Sequence, residues 1–530
     1  MKTYFSNELL LCAVTLTILG PAASQAQLGG VPLWTNRYGP ATVSALAVDS
    51  SGNVFMTGNS YPTLYPTDPG ADYLTIKYSG AGVPLWTNRY NGAGNGDDLP
   101  SCIAVDSNGD VVVTGGSIGT NGLSDYATIK YSGSGVPLWT NRYHGAGSGG
   151  EGAAAIAVDS SGNVFVTGGS TGLASSYDYA TIKYSGAGVP LWTNRYTGPG
   201  NGDGGPSALA VDGSGNVFVT GSSTGSVGDL DYDYATIKYS GAGVPLWTNR
   251  YNGPGNGADV PWRIAVDSSG SVFVTGTSTG SGSGYDYATI KYSGAGVPLW
   301  TNRYNGPGNT NDYATSMAVD SSGNVLVTGQ STASGGAYDY ATIKYSAAGV
   351  PLWTNRYNGP ASSDDTAAAV AVDDSGNVFV TGGSTGRGGL TDGGGLDYAT
   401  IAYSSAGTAL WTNRYDGPNG RDQAVAMAVD ASGNVFVTGA SWNVGDENEY
   451  ATIKYSSSTP PSLTIALTPT NTVAVSWPSP STGFMLQQNT HALVAANWSN
   501  VLATPSDDGT TKVFIVDPPM GNRFYRLVHP

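Results

Sequence analysis

Carboxylates and aromatic rings are the groups in this chain whose types and spacing could do chemistry, and they recur in step. Asp97, Asp98, Asp203, Asp259, Asp312, Asp364, Asp365 and Asp422 all lie shortly after a repeated Arg-Tyr. Asp229, Asp231, Asp392 and Asp446 lie shortly before a repeated Tyr-Ala-Thr. Tyr61, Tyr65, Trp262 and Trp442 fall in the same segments. Sugars stack their apolar faces on rings and hydrogen-bond to carboxylates, so the mixture suits a carbohydrate or a cell-surface ligand. The ligand-binding candidates are Asp97, Asp98, Asp203, Asp259, Trp262, Asp312, Asp364, Asp365, Asp422 and Trp442. Solvated loops that only keep a protein soluble would share this composition.

Glycoside hydrolysis needs two carboxylates at a set separation, and no pair here stands out. A Ser–His or Cys–His arrangement would have to use His144, which occurs in one loop of one repeat. No catalytic residue is named on this basis. Asp229, Asp231 and Asp233 alternate as hard-cation ligands do, so calcium is the candidate metal there. The glycine and distal glutamate of an EF-hand loop are missing. Zinc finds no ligand set, because His144, His491 and His529 are the only histidines and no cysteine stands at ligand spacing. No other cofactor is indicated, since the glycines fall in hairpin turns rather than phosphate cradles. The Asp of the repeated Asp-Tyr, from Asp72 to Asp397 with Glu449 in the last copy, reads as one ligand contact per repeat or as a turn residue bonding local backbone N–H groups. The Asp of each Ala-Val-Asp reads as an Asx turn.

Net charge is −16, and of 22 Lys and Arg eight are the Arg of LWTNRY and seven the Lys of TIKY. No basic patch remains to neutralise phosphates, which excludes nucleic acid and an anionic membrane surface as partners. Residues 1–26 read as a signal peptide: Lys2, the apolar run Leu9 to Leu19, and Ser24-Gln25-Ala26 before a cut at Gln27. The expected location is extracellular or on the cell surface. No other stretch is long and apolar enough to span a bilayer. Cys12 leaves with the signal, so Cys102 stands alone in the mature chain as a buried, inert thiol.

What must position these residues is a repeat. Eight near-copies of a unit of fifty-odd residues run from Val31 to Tyr455, each marked by LWTNRY, from Trp34 to Trp411, and by AVD, from Asp49 to Asp430. In one copy AAAIAVD, NVFVTG, YATIKYS and VPLWTNRY read as four antiparallel strands joined by short turns. AIAV and VFV are apolar on consecutive positions and need cover on both faces. Radial stacking of the sheets supplies it, which predicts an all-β, eight-bladed β-propeller with four-stranded blades. The chain opens on a lone LWTNRY and its last copy lacks one. The N-terminal strand should therefore close the last blade and remove an exposed sheet edge.

The segments AVDSSGNVFVTGGSTG at Ala157 to Gly172 and the following YDYATIKYSGAGVPLW resemble the bacterial β-propeller repeat family SBBP, with a looser likeness to NHL repeats. The resemblance covers residues 31–456. It implies an exported propeller and no fixed chemistry. The expected organisation is a signal peptide at 1–26, a propeller at 27–456, a linker at 457–462 and a small β-sandwich at 463–530. The last resembles a fibronectin type III module, with Trp477 and Tyr525 in its core. The strand order sends the two longer, varying loops of each copy to one rim, where binding usually lives on a rigid scaffold. The leading expectation is a secreted, non-enzymatic binding or adhesion scaffold. The alternatives are a polysaccharide-active hydrolase or lyase using rim carboxylates, and a structural surface-layer component.

Overall fold

The computed structural model describes residues 30–60, 70–172, 177–199, 203–225, 231–386, 395–418, 421–442, 448–456, 463–468, 470, 472–479, 485–489, 498–516 and 523–528. The expected signal segment 1–26, the linker 457–462, and Tyr61, Tyr65, Asp229, Asp392, Asp446, His491 and His529 lie outside the described residues.

Each repeat folds as a four-stranded antiparallel blade, and no α-helix occurs among the described residues. The copy read above has strands Gly152–Val158, Val164–Thr171, Tyr177–Tyr184 and Pro190–Tyr196, hydrogen-bonded in that order. The first turn is an Asx turn, as expected: Asp159 Oδ1 accepts the Ser161 and Asn163 N–H groups at 3.0 and 2.8 Å. Gly162 takes φ +77° there, a left-handed conformation that suits glycine.

The two apolar strands differ in burial. Val164, Phe165 and Val166 are fully buried, while Ile156, Ala157 and Val158 are half-buried. The expectation of cover on both faces therefore holds for the VFV strand and not for the AVD strand. The VFV strand has a hydrogen-bonded neighbour on each side, whereas the AVD strand is the sheet edge. Burial of three such side chains stabilises by roughly 1.5–3 kcal/mol each.

Neighbouring blades are clasped by the outer strand. Trp139 Nε1 donates to Gly186 O at 3.1 Å and Asn141 Nδ2 to Gly188 O at 2.7 Å, both in the next blade's SGAG turn. Gly188 has φ +82° and lies under the Trp139 ring, where a Cβ would come within 2.6 Å. The same Trp and Asn contacts recur from Trp34 and Asn36 to Trp353 and Asn355. Lys183 reaches over the Phe165 ring, 4.9 Å from its centre, and donates to Gly241 O of the next blade at 2.9 Å.

The two ends of the repeat region share one sheet. Pro32–Tyr38 pairs antiparallel with Asn448–Tyr455, from Pro32 opposite Tyr455 to Tyr38 opposite Tyr450. Each AVD strand contacts the next along the chain, and the first, Ala45–Val48, contacts the last, Asp422–Val429. Val54, Ile76, Tyr78, Phe436 and Tyr450 form one apolar cluster across that junction.

Beyond the repeats, Thr464–Leu467, Val473–Pro478, Thr511–Val516 and Ser506–Asp507 form one sheet. Ser499–Asn500, Met485–Asn489 and Phe524–Val528 form another. Val475, Trp477, Leu486 and Val516 are buried together, with Tyr525 and Leu527 packed against them.

Candidate functional site

The loop rim is the end of each blade where the second strand leads to the third and the outer strand leads to the next blade. Two sets of carboxylates there are fixed by the repeat itself. In the first set, the Asp before Tyr-Ala-Thr pairs with the Arg of its own blade's outer strand, at 2.6–2.9 Å for Asp125–Arg142, Asp178–Arg195, Asp233–Arg250, Asp286–Arg303, Asp339–Arg356 and Asp397–Arg414. Glu449 takes the place of Asp for Arg37. The Arg also reaches the previous blade, as when Arg303 Nη1 donates to Tyr251 Oη at 3.1 Å. These aspartates are ion-pair partners rather than local turn residues, because the Arg stands directly across the pleat from the strand they open. Asp233 is thereby committed to Arg250, and Asp231 is exposed.

The second set comprises Asp98, Asp259, Asp312, Asp365 and Asp422, all predicted to face ligand. The structure turns them inward, at no more than 1% exposed. Asp312 Oδ2 accepts the Gly306 N–H at 2.6 Å and Oδ1 the Thr332 N–H at 3.0 Å, so one carboxylate ties two rim loops together. Asp98, Asp259, Asp365 and Asp422 accept from the equivalent Gly92, Gly253, Gly359 and Gly417. Burial pushes the carboxyls of all five up from the usual range, against the pull of these hydrogen bonds.

Asp97 and Asp364, beside Asp98 and Asp365, and Asp203, beside Gly204, are exposed, and each accepts an N–H at the start of a third strand: Ala71, Tyr177 and Tyr338 at 3.0, 3.1 and 2.9 Å. Trp262 is 43% exposed at a bulge in its strand, between Pro261 and Arg263. Trp442 stacks with Arg421, whose guanidinium sits 5.1 Å from the ring centre. His144 pairs with Asp125 and Glu151, both carboxylates.

The rim residues that sequence reasoning missed are tyrosines. Tyr313 opens an AVD strand and stands between Tyr285 and Tyr338, with ring centres 5.7 and 6.2 Å away. At the equivalent place two blades earlier the flanking tyrosines are Tyr177 and Tyr232, and the central position is Gly205. A slot of about 280 Å³ opens there, lined by Tyr177, Asp203, Gly204, Gly205, Ser222 and Tyr232. Tyr177 is half exposed, and a Cβ on Gly205 would meet nothing within 4 Å. The signal was present as a Tyr two places before the invariant Tyr, at 177, 232, 285 and 338, but it reads as strand propensity until the copies are superposed. A second cavity, of about 430 Å³, lies between the turns at Asp267–Ser269 and Asp320–Gly323, at the opposite end of the blades.

Residues 300–336 match the beta-propeller repeat family SBBP. No curated protein matches the chain in sequence. Among solved structures, the chain is similar to the polysaccharide lyase Uly1, at 11% identity and TM-score 0.40 over 78% of this chain and 89% of that one. It is also similar to Drosophila Plexin A in complex with Semaphorin 1b, at 10% identity and TM-score 0.39 over 81% and 88%. A eukaryotic initiation factor follows at 9% and 0.36 over 76% and 82%. None of these three bears on what this chain does.

Proposed function

We propose that the chain is an exported, non-enzymatic binding scaffold: eight blades closed into a β-propeller ring, with a fibronectin type III-like sandwich as spacer or anchor. Its ligand is a carbohydrate held at the rim. The observation that carries this reading is the slot at Gly205. In the sister junction a six-membered ring, that of Tyr313, fills the space between two tyrosines. At Gly205 the same two walls stand without the filling. A pyranose has the size and the apolar faces to take that place, with hydroxyls directed to the exposed Asp203 and Ser222. Asp203 also accepts the Tyr177 N–H, so it holds one wall in position.

Gly205→Tyr should rebuild the filled junction of the sister blade. A glycan array and a cell-wall pull-down would compare it with the parent chain. The expected result is binding by the parent, at least about tenfold weaker in Gly205→Tyr, with an unchanged melting curve. A parent chain that binds no glycan or surface protein would sink the proposal, as would equal binding by the two.

A further inference from the structure

The outer-strand Arg-Tyr is followed by Asn at 91, 252, 305 and 358, by Thr at 197, by Gly at 39 and by Asp at 416, and His stands there at 144 alone. In that same junction the position of the buried loop-tying Asp is held by Glu151, where Asp98, Asp259, Asp312, Asp365 and Asp422 stand elsewhere. Two departures from the repeat therefore meet at one place. His144 Nδ1 lies 2.9 Å from Asp125 Oδ1 and 3.3 Å from Glu151 Oε2. The three residues come from a third strand, the rim loop and the edge of the next blade's first strand.

Glu151 is 2% exposed, and neither of its carboxylate oxygens makes a hydrogen bond. One imidazole N–H cannot satisfy two carboxylates, and Asp125 is the nearer. Glu151 Oε1 still lies against Gly145, the counterpart of the glycine that each Asp engages, and the extra methylene brings Oε2 toward the imidazole. A buried carboxylate without a well-formed hydrogen bond is costly. A cation in place of the proton would serve all three groups.

We propose that Asp125, His144 and Glu151 bind a divalent transition metal. Bonds of about 2.0–2.2 Å to nitrogen and oxygen at tetrahedral or octahedral angles put neighbouring donors roughly 2.9–3.5 Å apart, which the two measured separations match. One imidazole with two carboxylates is a borderline donor set that favours zinc-like ions over calcium. The His144 side chain is 43% exposed, so solvent or a rim ligand reaches the open coordination positions. Arg142 holds the other oxygen of Asp125 at 2.9 Å and fixes the direction of the liganding one. The site is independent of the Gly205 slot, so failure of either leaves the other standing.

The test uses the full untagged chain, stripped of metal, titrated with Co²⁺ and then Zn²⁺. His144→Asn and Glu151→Asp each restore a residue that sister repeats carry, so both should keep the parent's circular dichroism. One Co²⁺ per parent chain with visible ligand-field bands, displaced by one Zn²⁺, is expected. Each variant should bind at least about tenfold more weakly. Equal affinity in parent and variants would overturn the site, as would the absence of ligand-field bands. If a variant fails to fold, the His144 ring proton signals of the parent decide: a shift on adding one equivalent of Zn²⁺ supports the site, and unchanged signals refute it.

Discussion

At the scale of single residues, a carboxylate's role is set by which way it points. Asp364 and Asp365 are neighbours in sequence, yet one is exposed and the other fully buried. Asp365 is the first residue of its strand and faces inward, while Asp364 stands just before the strand in the loop. The residue type was legible and the direction was not, because the strand begins two or three residues nearer the rim than the turn signals suggest. The buried rim Asp312 and the Ala-Val-Asp turn residue Asp320 should also respond to pH in opposite senses. Burial holds Asp312 up, so its folded-state pKa exceeds its unfolded one and its protonation favours the fold. That contribution is complete below the unfolded pKa and is lost as pH rises through the folded one. Burial also presses Asp320 upward, but its bonds to Asn324 and Lys344 prevail and leave it lowered. Its contribution is present above the unfolded pKa and is lost as pH falls through the folded one. Melting temperatures from pH 7 to pH 3 should show Asp312→Asn losing ground to the parent as the medium becomes acidic. Asp320→Asn should show its deficit at pH 7 and recover toward pH 3. Parallel curves would refute the assignment. Glu151 and Tyr313 escaped notice for a different reason: each matters only as a departure from its sister positions, and a reading that stresses the repeat suppresses departures.

At the scale of elements, the existence and order of the four strands of each blade were legible, and their rim ends were not. Their apolar alternation and the DSSGN and SGAG turns are local signals, and local signals need no knowledge of neighbours. The half-exposure of the AVD strand was not legible, since apolar content alone does not tell an edge from an interior. The inter-blade clasp was equally hidden, because Trp139 and Gly188 are 49 residues apart and meet only across two sheets. The clasp predicts that Gly188→Ala is disfavoured twice, by φ +82° and by the Trp139 ring against it. A loss of about 1–3 kcal/mol in urea unfolding is expected. Asp159→Ala removes a different turn and leaves the clasp intact, so the summed tryptophan emission of the chain should shift in the first variant only.

At the scale of the whole molecule, the shared sheet of the two ends was read correctly from the phase of the repeat alone. A strand missing from the last copy and left over at the first has one economical resolution. The pairing of Pro32–Tyr38 with Asn448–Tyr455 covers what would otherwise be a free edge. A chain beginning at Thr42 should consequently lose its soluble monomer and aggregate on size-exclusion chromatography. A stable monomer would mean that this strand is dispensable.

The same seam decides how the protein answers to tension. Pro32 lies opposite Tyr455, so the chain enters and leaves the sheet at one corner. A pull between the two ends peels the strands apart one rung at a time instead of shearing all rungs together. Rungs broken singly yield to gentle force and re-form readily. A molecule tethered through its tail and tugged at its head would give way first at this zip, acting as a resettable tension fuse while the other sheets keep their shape.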